Sequence, residues 1–264
     1  MKQGSEKMDE IVVAGMRLES RWIGPPPEEV PTLVFLHEGL GCVALWKDVP
    51  ERLAAATGCG ALVYSRAGYG GSDPVPLPRP RHYLHDEALK VLPALLDEAG
   101  IRHAVLVGHS DGASIAIIHV GSVRDRRVEA AVLMAPHVFT EPMCLESVVK
   151  ARLAYEKGHL RAALARYHGA NVDCAFRGWN DTWLDPDFRS WNIEEYLAGI
   201  EVPLLLIQGH GDEYATTAQL EAIERQVSAP VTTIWLDECG HSPHRDRPDA
   251  VLPAMSSFIA EATS

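Results

Sequence analysis

Residues 103–114 read HAVLVGHSDGAS, an apolar run that breaks into the pentapeptide GHSDG around Ser110. The apolar run is typical of a buried strand, and the ASIAIIHVG that follows is typical of a helix. The flanking Gly108 and Gly112 leave room for a strained strand-to-helix turn that would lift the Ser110 hydroxyl above a sheet. The helix would point its partially positive N-terminus at the same place. The stretch therefore predicts a sheet with a reactive serine at the end of one strand.

A serine hydroxyl is a weak nucleophile at neutral pH, so this hypothesis requires a base and a group that orients the base. After the last predicted strand, DECGHSPHRD offers His241, with His244 as a competitor in the same loop. After the preceding strand, IQGHGDEYA offers Asp212, with Glu213 as its competitor. The chain order Ser110, Asp212, His241 is the order expected for a Gly-x-Ser-x-Gly serine with its acid and histidine.

Short apolar runs alternate with helical patterns along most of the chain, which is typical of a mainly parallel sheet covered by helices on both faces. We expect an α/β fold with a sheet of about eight strands. EIVVAGMRLESRWIG predicts an antiparallel hairpin around Gly15 at the sheet edge. Residues 83–99 have helical periodicity, and Pro93 within them predicts a kink.

Residues 139–198 form a connection far longer than is ordinary between two strands. We expect a helical cap here, inserted after the sixth strand, with residues 1–138 and 199–264 forming one core domain. Trp179, Trp183 and Trp191 fall in this segment, and they suit a lid over an apolar pocket. Packing of the lid onto the body is the alternative role for each of them.

Together these motifs resemble the α/β-hydrolase fold, in members that are serine hydrolases with a helical cap. The likeness runs from about Pro31 to Phe258, and it depends on the joint order of LHEGLG, SRAGYGGSD, GHSDG, QGHGD and CGHSPH. The resemblance implies that Ser110 is the nucleophile, that His241 is the base and then the acid, and that Asp212 is the orienting carboxylate.

The resemblance also implies an oxyanion hole formed by the backbone amides of Asp111 and Gly39. In the loop that reads LHEGLG here, relatives usually carry glycine directly after the first histidine, whereas this chain has Glu38 after His37. The departure leaves Leu40 as an alternative to Gly39. A glutamate in a comparable loop also occurs in dienelactone hydrolases, so the acid is compatible with hydrolysis.

Four side chains are predicted to bind substrate: Glu38, His137, Trp179 and Trp183. The Asp111 side chain has two open interpretations. It caps the first turn of its helix, where the dipole favours a negative charge, or it faces the pocket with Glu38 and selects a substrate that bears an amine. The second interpretation comes from a likeness to valacyclovir-hydrolase-type members, which carry the same SDG and recognise amino-acid esters.

The composition excludes several classes of partner. With 36 acidic and 24 basic residues, the net charge of -12 opposes phosphate binding, so we expect no nucleic-acid partner. The apolar runs fall short of the roughly 20 residues that a membrane span needs. The N-terminal MKQGSEKMDE is charged and shows no secretory signal, which predicts a cytoplasmic protein. The five cysteines are scattered, which predicts reduced thiols without a disulfide framework. We expect a monomer or a homodimer.

We expect neither a cofactor nor a metal. AGYGGSD does not satisfy G-x-G-x-x-G, because Asp73 stands where the third glycine should be. Pro243 breaks helical presentation of His241 and His244, and no cysteine or carboxylate cluster completes a ligand set.

The assembled groups suit acyl transfer, so hydrolysis of a carboxylic ester of a small to medium substrate through an acyl-enzyme is the expected reaction. Lactone, thioester, amide and carbon–carbon bond hydrolysis stay open, because the same three residues support them. A noncatalytic ligand-binding receptor on this fold is the alternative from a different class.

Overall fold

The computed structural model describes residues 9–122 and 124–263. The charged stretch 1–8, part of the predicted core domain and of the N-terminus without a secretory signal, lies outside the described residues. The described residues contain eight strands, in agreement with the expected number. They are β1 Asp9–Val13, β2 Met16–Ile23, β3 Thr32–Leu36, β4 Gly60–Tyr64, β5 Ala104–His109, β6 Val128–Met134, β7 Leu204–Gly209 and β8 Val231–Leu236.

The strands form one sheet in the order β1-β2-β4-β3-β5-β6-β7-β8. The pairs β1–β2 and β2–β4 are antiparallel, and the other pairs are parallel. The predicted edge hairpin is confirmed, and Gly15 in its turn has a φ of +82°. Because β3 and β5 to β8 run the same way, their carboxyl ends meet at one edge of the sheet, where the motif residues lie.

Helices cover both faces of the sheet, as predicted. They are α1 Val49–Thr57, α2 Tyr83–Asp86, α3 Leu92–Glu98, α4 Asp111–Ser122, α5 Pro142–Lys157, α6 Leu160–His168, α7 Val172–Trp183, α8 Ala218–Gln226, α9 Pro243–Asp246 and α10 Pro248–Ala262. Strand side chains alternate between two buried clusters: Val34 of β3 packs on the α4 side, and Phe35 packs on the α1 and α10 side. The fully buried β5 thus rests between two helical layers.

The helix predicted over residues 83–99 is present in three parts, because a π-helical stretch, Glu87–Val91, joins α2 to α3. Pro93 lies in the first turn of α3. Proline has no N–H and its ring crowds the preceding turn, so the wider π turn absorbs the mismatch without ending the helix.

Residues 139–198 lie in the connection between β6 and β7 and are largely helical. They contain α5, α6 and α7, the 3-10 helices Gly169–Asn171 and Pro186–Ser190, and all but the last residue of the 3-10 helix Glu194–Gly199. The segment leaves and rejoins the body at neighbouring points, since the Ile193 amide donates to the Val138 carbonyl at 2.8 Å. Phe139 and Asn192 form an isolated β-bridge beside that contact. Among the described residues, no helix combines the length and apolarity needed to cross a membrane.

Candidate active site

Ser110 stands in the sharp turn between β5 and α4 with a φ of +52°, a left-handed conformation that is uncommon for a residue with a side chain. Both flanking glycines are required by packing. A Cβ at Gly108 would lie 2.6 Å from the Cα of Ala113, and one at Gly112 would overlap the carbonyl oxygen of Leu36. The turn therefore depends on close backbone approach, as the motif predicts.

The structure brings the predicted nucleophile, base and acid into one hydrogen-bonded chain. The Ser110 hydroxyl donates to Nε2 of His241 across 2.9 Å. Nδ1 of the same ring lies 2.8 Å from Oδ1 of Asp212. Because a carboxylate only accepts, Nδ1 carries the proton, and Nε2 is left free to accept from the serine.

Asp212 and Glu213 engage different parts of His241. The Asp212 carboxylate is buried and accepts the imidazole, the amide of Tyr214 at 2.8 Å and the side-chain amide of Gln208 at 3.4 Å. Glu213 instead accepts from the backbone amide of His241 at 3.3 Å. Asp212 is thus the carboxylate that orients the ring.

The electrostatics of the pair favour a base that is easily charged. Burial by itself lowers the pKa of His241, but the hydrogen bond and the charge of Asp212 outweigh it and raise the pKa overall. For Asp212, burial works to raise the pKa, and the hydrogen bond and charge of His241 lower it overall. The carboxylate therefore stabilises an imidazolium next to Ser110.

In the loop after β3, three hydrogen bonds converge on the carbonyl of Glu38. The Glu38 carbonyl accepts from Nδ1 of His37 at 2.7 Å, from Nη2 of Arg66 at 3.0 Å and from the Gly41 amide at 3.1 Å. In a trans peptide the C=O and the N–H point in opposite directions, so the Gly39 N–H faces away from these donors. Gly39 itself lines the cavity above Ser110.

Asp111 is the first residue of α4, so its N–H has no partner within the helix. Its side chain does not take the predicted capping role: Oδ2 accepts from the Tyr83 hydroxyl at 2.5 Å and lies 3.7 Å from Nη2 of the buried Arg66. Burial raises the pKa of Asp111, against the lowering effect of Arg66 and Tyr83. The hydrogen bond from Tyr83 and the charge of Arg66 therefore offset part of the cost of burying a carboxylate beside the serine.

A cavity of about 250 Å³ opens above Ser110. Every residue that the sequence predicts for the site lines this cavity, except the buried Asp212. The predicted residues that line it are Glu38, Gly39, Leu40, Ser110, Asp111, His137, Trp179, Trp183 and His241. Sequence reasoning missed Cys144, Tyr214, Ser242 and Arg245 as lining residues. Tyr214 and Ser242 adjoin motif residues and could have been found from that proximity, whereas Cys144 stands in α5 with no motif near it.

Two tryptophans of α7 form one wall of the cavity, four residues apart on the same helix face. Trp179 packs on Gly39 so closely that a Cβ at position 39 would overlap its indole ring. Trp183 donates from Nε1 to the Tyr83 hydroxyl at 3.2 Å, and its ring lies 5.4 Å from that of His137. Both side chains therefore line the pocket and also pack the segment onto the body.

The remaining histidines near the site are buried. Burial and the nearby His241 lower the pKa of His137 to about 3, and burial and His109 lower that of His244 to about 3. His244, the competitor of His241, packs against the Trp46 ring with the centroids 5.1 Å apart. The imidazole rings of His137 and His244 are therefore neutral near pH 7.

His109 connects the elbow to the histidine loop. Its Nε2 lies 2.6 Å from the His241 carbonyl, to which it must donate, and its Nδ1 lies 3.6 Å from Oε2 of Glu38. Burial works to raise the pKa of Glu38, but the neighbouring His109 helps to lower it overall. Glu38 thus remains a carboxylate at the edge of the cavity.

Fold and site together define a hydrolase-type α/β protein, and comparison with known proteins agrees. The family model for the alpha/beta hydrolase family matches residues 33–254, and the chain belongs to this family. A proline iminopeptidase of Lactobacillus helveticus (strain DPC 4571) is 30% identical over 268 residues, which cover 88% of this chain and 90% of the relative.

Solved structures share the fold. The crystal structure of VinJ has a TM-score of 0.74 at 21% identity, and it covers 97% of this chain and 99% of its own. The esterase RhEst1 from Rhodococcus sp. ECU1013 has a TM-score of 0.73 at 19% identity, with the same coverage of 97% and 99%. The relatives thus include hydrolases of more than one substrate class.

Proposed function

We propose that this protein is a serine hydrolase that cleaves a carboxylic ester of a small to medium substrate through an acyl-enzyme. The observation that carries the proposal is the chain Ser110–His241–Asp212, with distances of 2.9 and 2.8 Å, at the floor of a cavity. The strained backbone at Ser110 supports it further, because strain of this kind clusters at functional sites.

In the proposed reaction, the Ser110 oxygen attacks the ester carbonyl while its proton moves to Nε2 of His241. Asp212 stabilises the imidazolium that forms. Collapse of the tetrahedral intermediate breaks the C–O bond to the leaving alcohol, which takes the proton from His241. Water then attacks the acyl-enzyme while His241 takes its proton, the bond between the acyl carbon and the Ser110 oxygen breaks, and His241 returns the proton to Ser110 as the acid is released.

The proposed oxyanion donors are the amides of Asp111 and Gly39. Helix geometry leaves the Asp111 N–H without an intrahelical partner. For the second donor we favour Gly39 over Leu40, because the Glu38–Gly39 peptide is held by three donors at its carbonyl end. Preorganised donors of this kind stabilise the developing charge without reorganising during the reaction.

We further propose that residues 139–198 act as a cap, with 1–138 and 199–264 as the core domain. Trp179 and Trp183 would form the apolar wall of the acyl pocket, with His137 and Glu38 completing it. The cavity of about 250 Å³ lies just below the usual range of ligand pockets, roughly 300–1,000 Å³, which favours a small substrate.

A panel of p-nitrophenyl esters of increasing acyl length tests the proposal. Wild type should turn over the short esters, and Ser110→Ala should lose at least about 10³-fold in kcat with an unchanged melting temperature. Ser122→Ala, at the other end of the same helix, is the matched control and should retain activity, because the Ser122 hydroxyl donates to the Ile118 carbonyl within the helix. Wild-type rates in Ser110→Ala would contradict the assignment of the nucleophile.

The panel also separates the alternatives. The proposed triad could also cleave lactones, thioesters, amides and carbon–carbon bonds. An amide is the first substrate to add to the ester panel, because one relative is a proline iminopeptidase. Because Tyr83 and Arg66 already engage Asp111, Glu38 and Glu213 are the carboxylates left to select an amine. An amino-acid ester and its desamino counterpart test this preference. Tight ligand binding with no burst and no turnover would instead favour a receptor.

A further inference from the structure

His168, the last residue of α6, forms a bridge between two loops of the body. Its ring is buried and lies edge-on to Tyr69, with the centroids 6.0 Å apart. Nδ1 accepts from the Gly70 amide at 3.0 Å, and Nε2 lies 3.0 Å from the Leu40 carbonyl. One partner only donates and the other only accepts, so the ring is the neutral tautomer with its proton on Nε2.

The Leu40 contact reaches the loop that contains the proposed oxyanion donor. His168 binds the carbonyl end of the Leu40–Gly41 peptide, and the N–H at the other end of that peptide donates to the Glu38 carbonyl. The Glu38 carbonyl belongs in turn to the peptide that carries the Gly39 N–H. Two planar peptides, linked by one hydrogen bond, therefore connect the imidazole to Gly39.

We propose that His168 is a positioning residue, through which the helical segment 139–198 sets the orientation of the Gly39 amide for the oxyanion. The inference rests on the proposed function, because it concerns the same reaction. It assigns to this segment a part in the rate of the chemical step, besides forming a wall of the pocket.

A second residue on the same side provides the matched control. Asn171, which ends the 3-10 helix after α6, donates from Nδ2 to the carbonyls of Gly70 at 3.1 Å and Ser72 at 2.6 Å. It fastens the segment to the loop after β4 and makes no contact with Leu40 in these hydrogen bonds. Loss of Asn171 therefore weakens the attachment while leaving the His168–Leu40 contact in place.

Two substitutions at His168 separate its two bonds. Asparagine places its carbonyl oxygen near the position of Nδ1, so it keeps the Gly70 contact and loses Leu40. Glutamine places its amide nitrogen near the position of Nε2, so it keeps Leu40 and loses Gly70. If His168 acts through Leu40, only the asparagine variant should be impaired in the chemical step.

The experiment measures kcat and KM with p-nitrophenyl acetate, the rate of inactivation by a small phosphonate and the melting temperature. We expect H168N to lose roughly tenfold to a hundredfold in kcat and in inactivation rate, with KM within about twofold. H168Q and N171A should stay within about threefold of wild type in kcat. Should H168N fail to fold, H168L, which keeps the packing on Tyr69, takes its place with the same expectation.

The inference would be overturned if kcat were unchanged in H168N. It would also be overturned if kcat fell in proportion to the melting temperature in H168N, H168Q and N171A alike. His168 would then only attach the segment to the body. These outcomes leave the proposed function intact, because wild type remains active and Ser110→Ala remains inactive. An inert wild type would overturn both proposals.

Discussion

The floor and the roof of the cavity are built in different ways. On the floor, Ser110, Asp212 and His241 follow three parallel strands, β5, β7 and β8, within a few residues of the strand ends. The roof is the wall formed by Trp179 and Trp183, which project from α7. This helix lies in a connection of about sixty residues whose position the sheet does not fix directly.

This difference indicates where chemistry and selectivity are encoded. Parallel pairing places the strand ends side by side, so a reactive group in each following loop needs only local geometry to meet the others. The roof depends on side-chain contacts between segments far apart in the chain, such as Trp183 with Tyr83. We therefore expect floor substitutions to change rate and roof substitutions to change preference among substrates.

The largest effect should come from Asp212→Asn on the floor. Losing the charge lowers the raised pKa of His241, so the acid limb of the pH–rate profile should move to lower pH, while kcat falls by about 10³–10⁴-fold. Steady-state rates between about pH 4 and pH 9 check both. Glu213→Gln keeps an oxygen that can accept from the His241 backbone amide and removes a smaller contribution than that of Asp212 to the raised pKa of His241, so it should cost no more than about tenfold with a simple ester. Equal losses in the two variants would contradict the assignment of the acid.

Gly112→Ala should have the next largest effect, through stability. The added methyl group would overlap the Leu36 carbonyl oxygen, and overpacking of this kind costs about 3 kcal/mol of unfolding free energy. Gly100→Ala is the control: its φ of +66° is strained for alanine but has open space around it, so about 1 kcal/mol is expected. Urea denaturation measures both. A loss in Gly112→Ala no larger than the loss in Gly100→Ala would contradict the close approach of Gly112 to β3.

Trp179→Leu should have the smallest effect and the most selective one. The smaller side chain enlarges the pocket, so kcat/KM for longer acyl chains relative to acetate should rise by about tenfold, with little change for acetate itself. Trp191→Leu is the matched control, because Trp191 packs behind the wall against Trp183 and Phe188. A parallel loss on all esters would remove the distinction between roof and floor.

The strands and the motif positions could be predicted from the sequence because each depends on a short stretch, whereas the order of the strands in the sheet depends on pairing between distant segments. The apolar runs specify buried strands, and the position of each motif after a strand specifies the edge of the sheet where it lies. Motif spacing could not separate Asp212 from Glu213, since both follow β7. One residue of difference sends their carboxylates to different atoms of His241, which only the folded loop reveals.

The partners of Asp111 lay beyond sequence reasoning for a different reason. A helix cap is a local interaction, so it was the natural prediction for an acid in a first turn. Its actual partner is Tyr83, 28 residues earlier in the chain, which no local pattern indicates. His168 is similar: its contact with Leu40 spans 128 residues, and neither residue belongs to a motif that names the other.

The packing of Trp179 on Gly39 has a consequence for how relatives of this chain diverge. Position 39 has no space for a side chain while an indole occupies position 179, and a smaller residue at 179 would open that space. The two positions are therefore expected to change together among homologues, large with small. A family alignment would record this as covariation between the loop after β3 and helix α7, although 140 positions separate them in the chain.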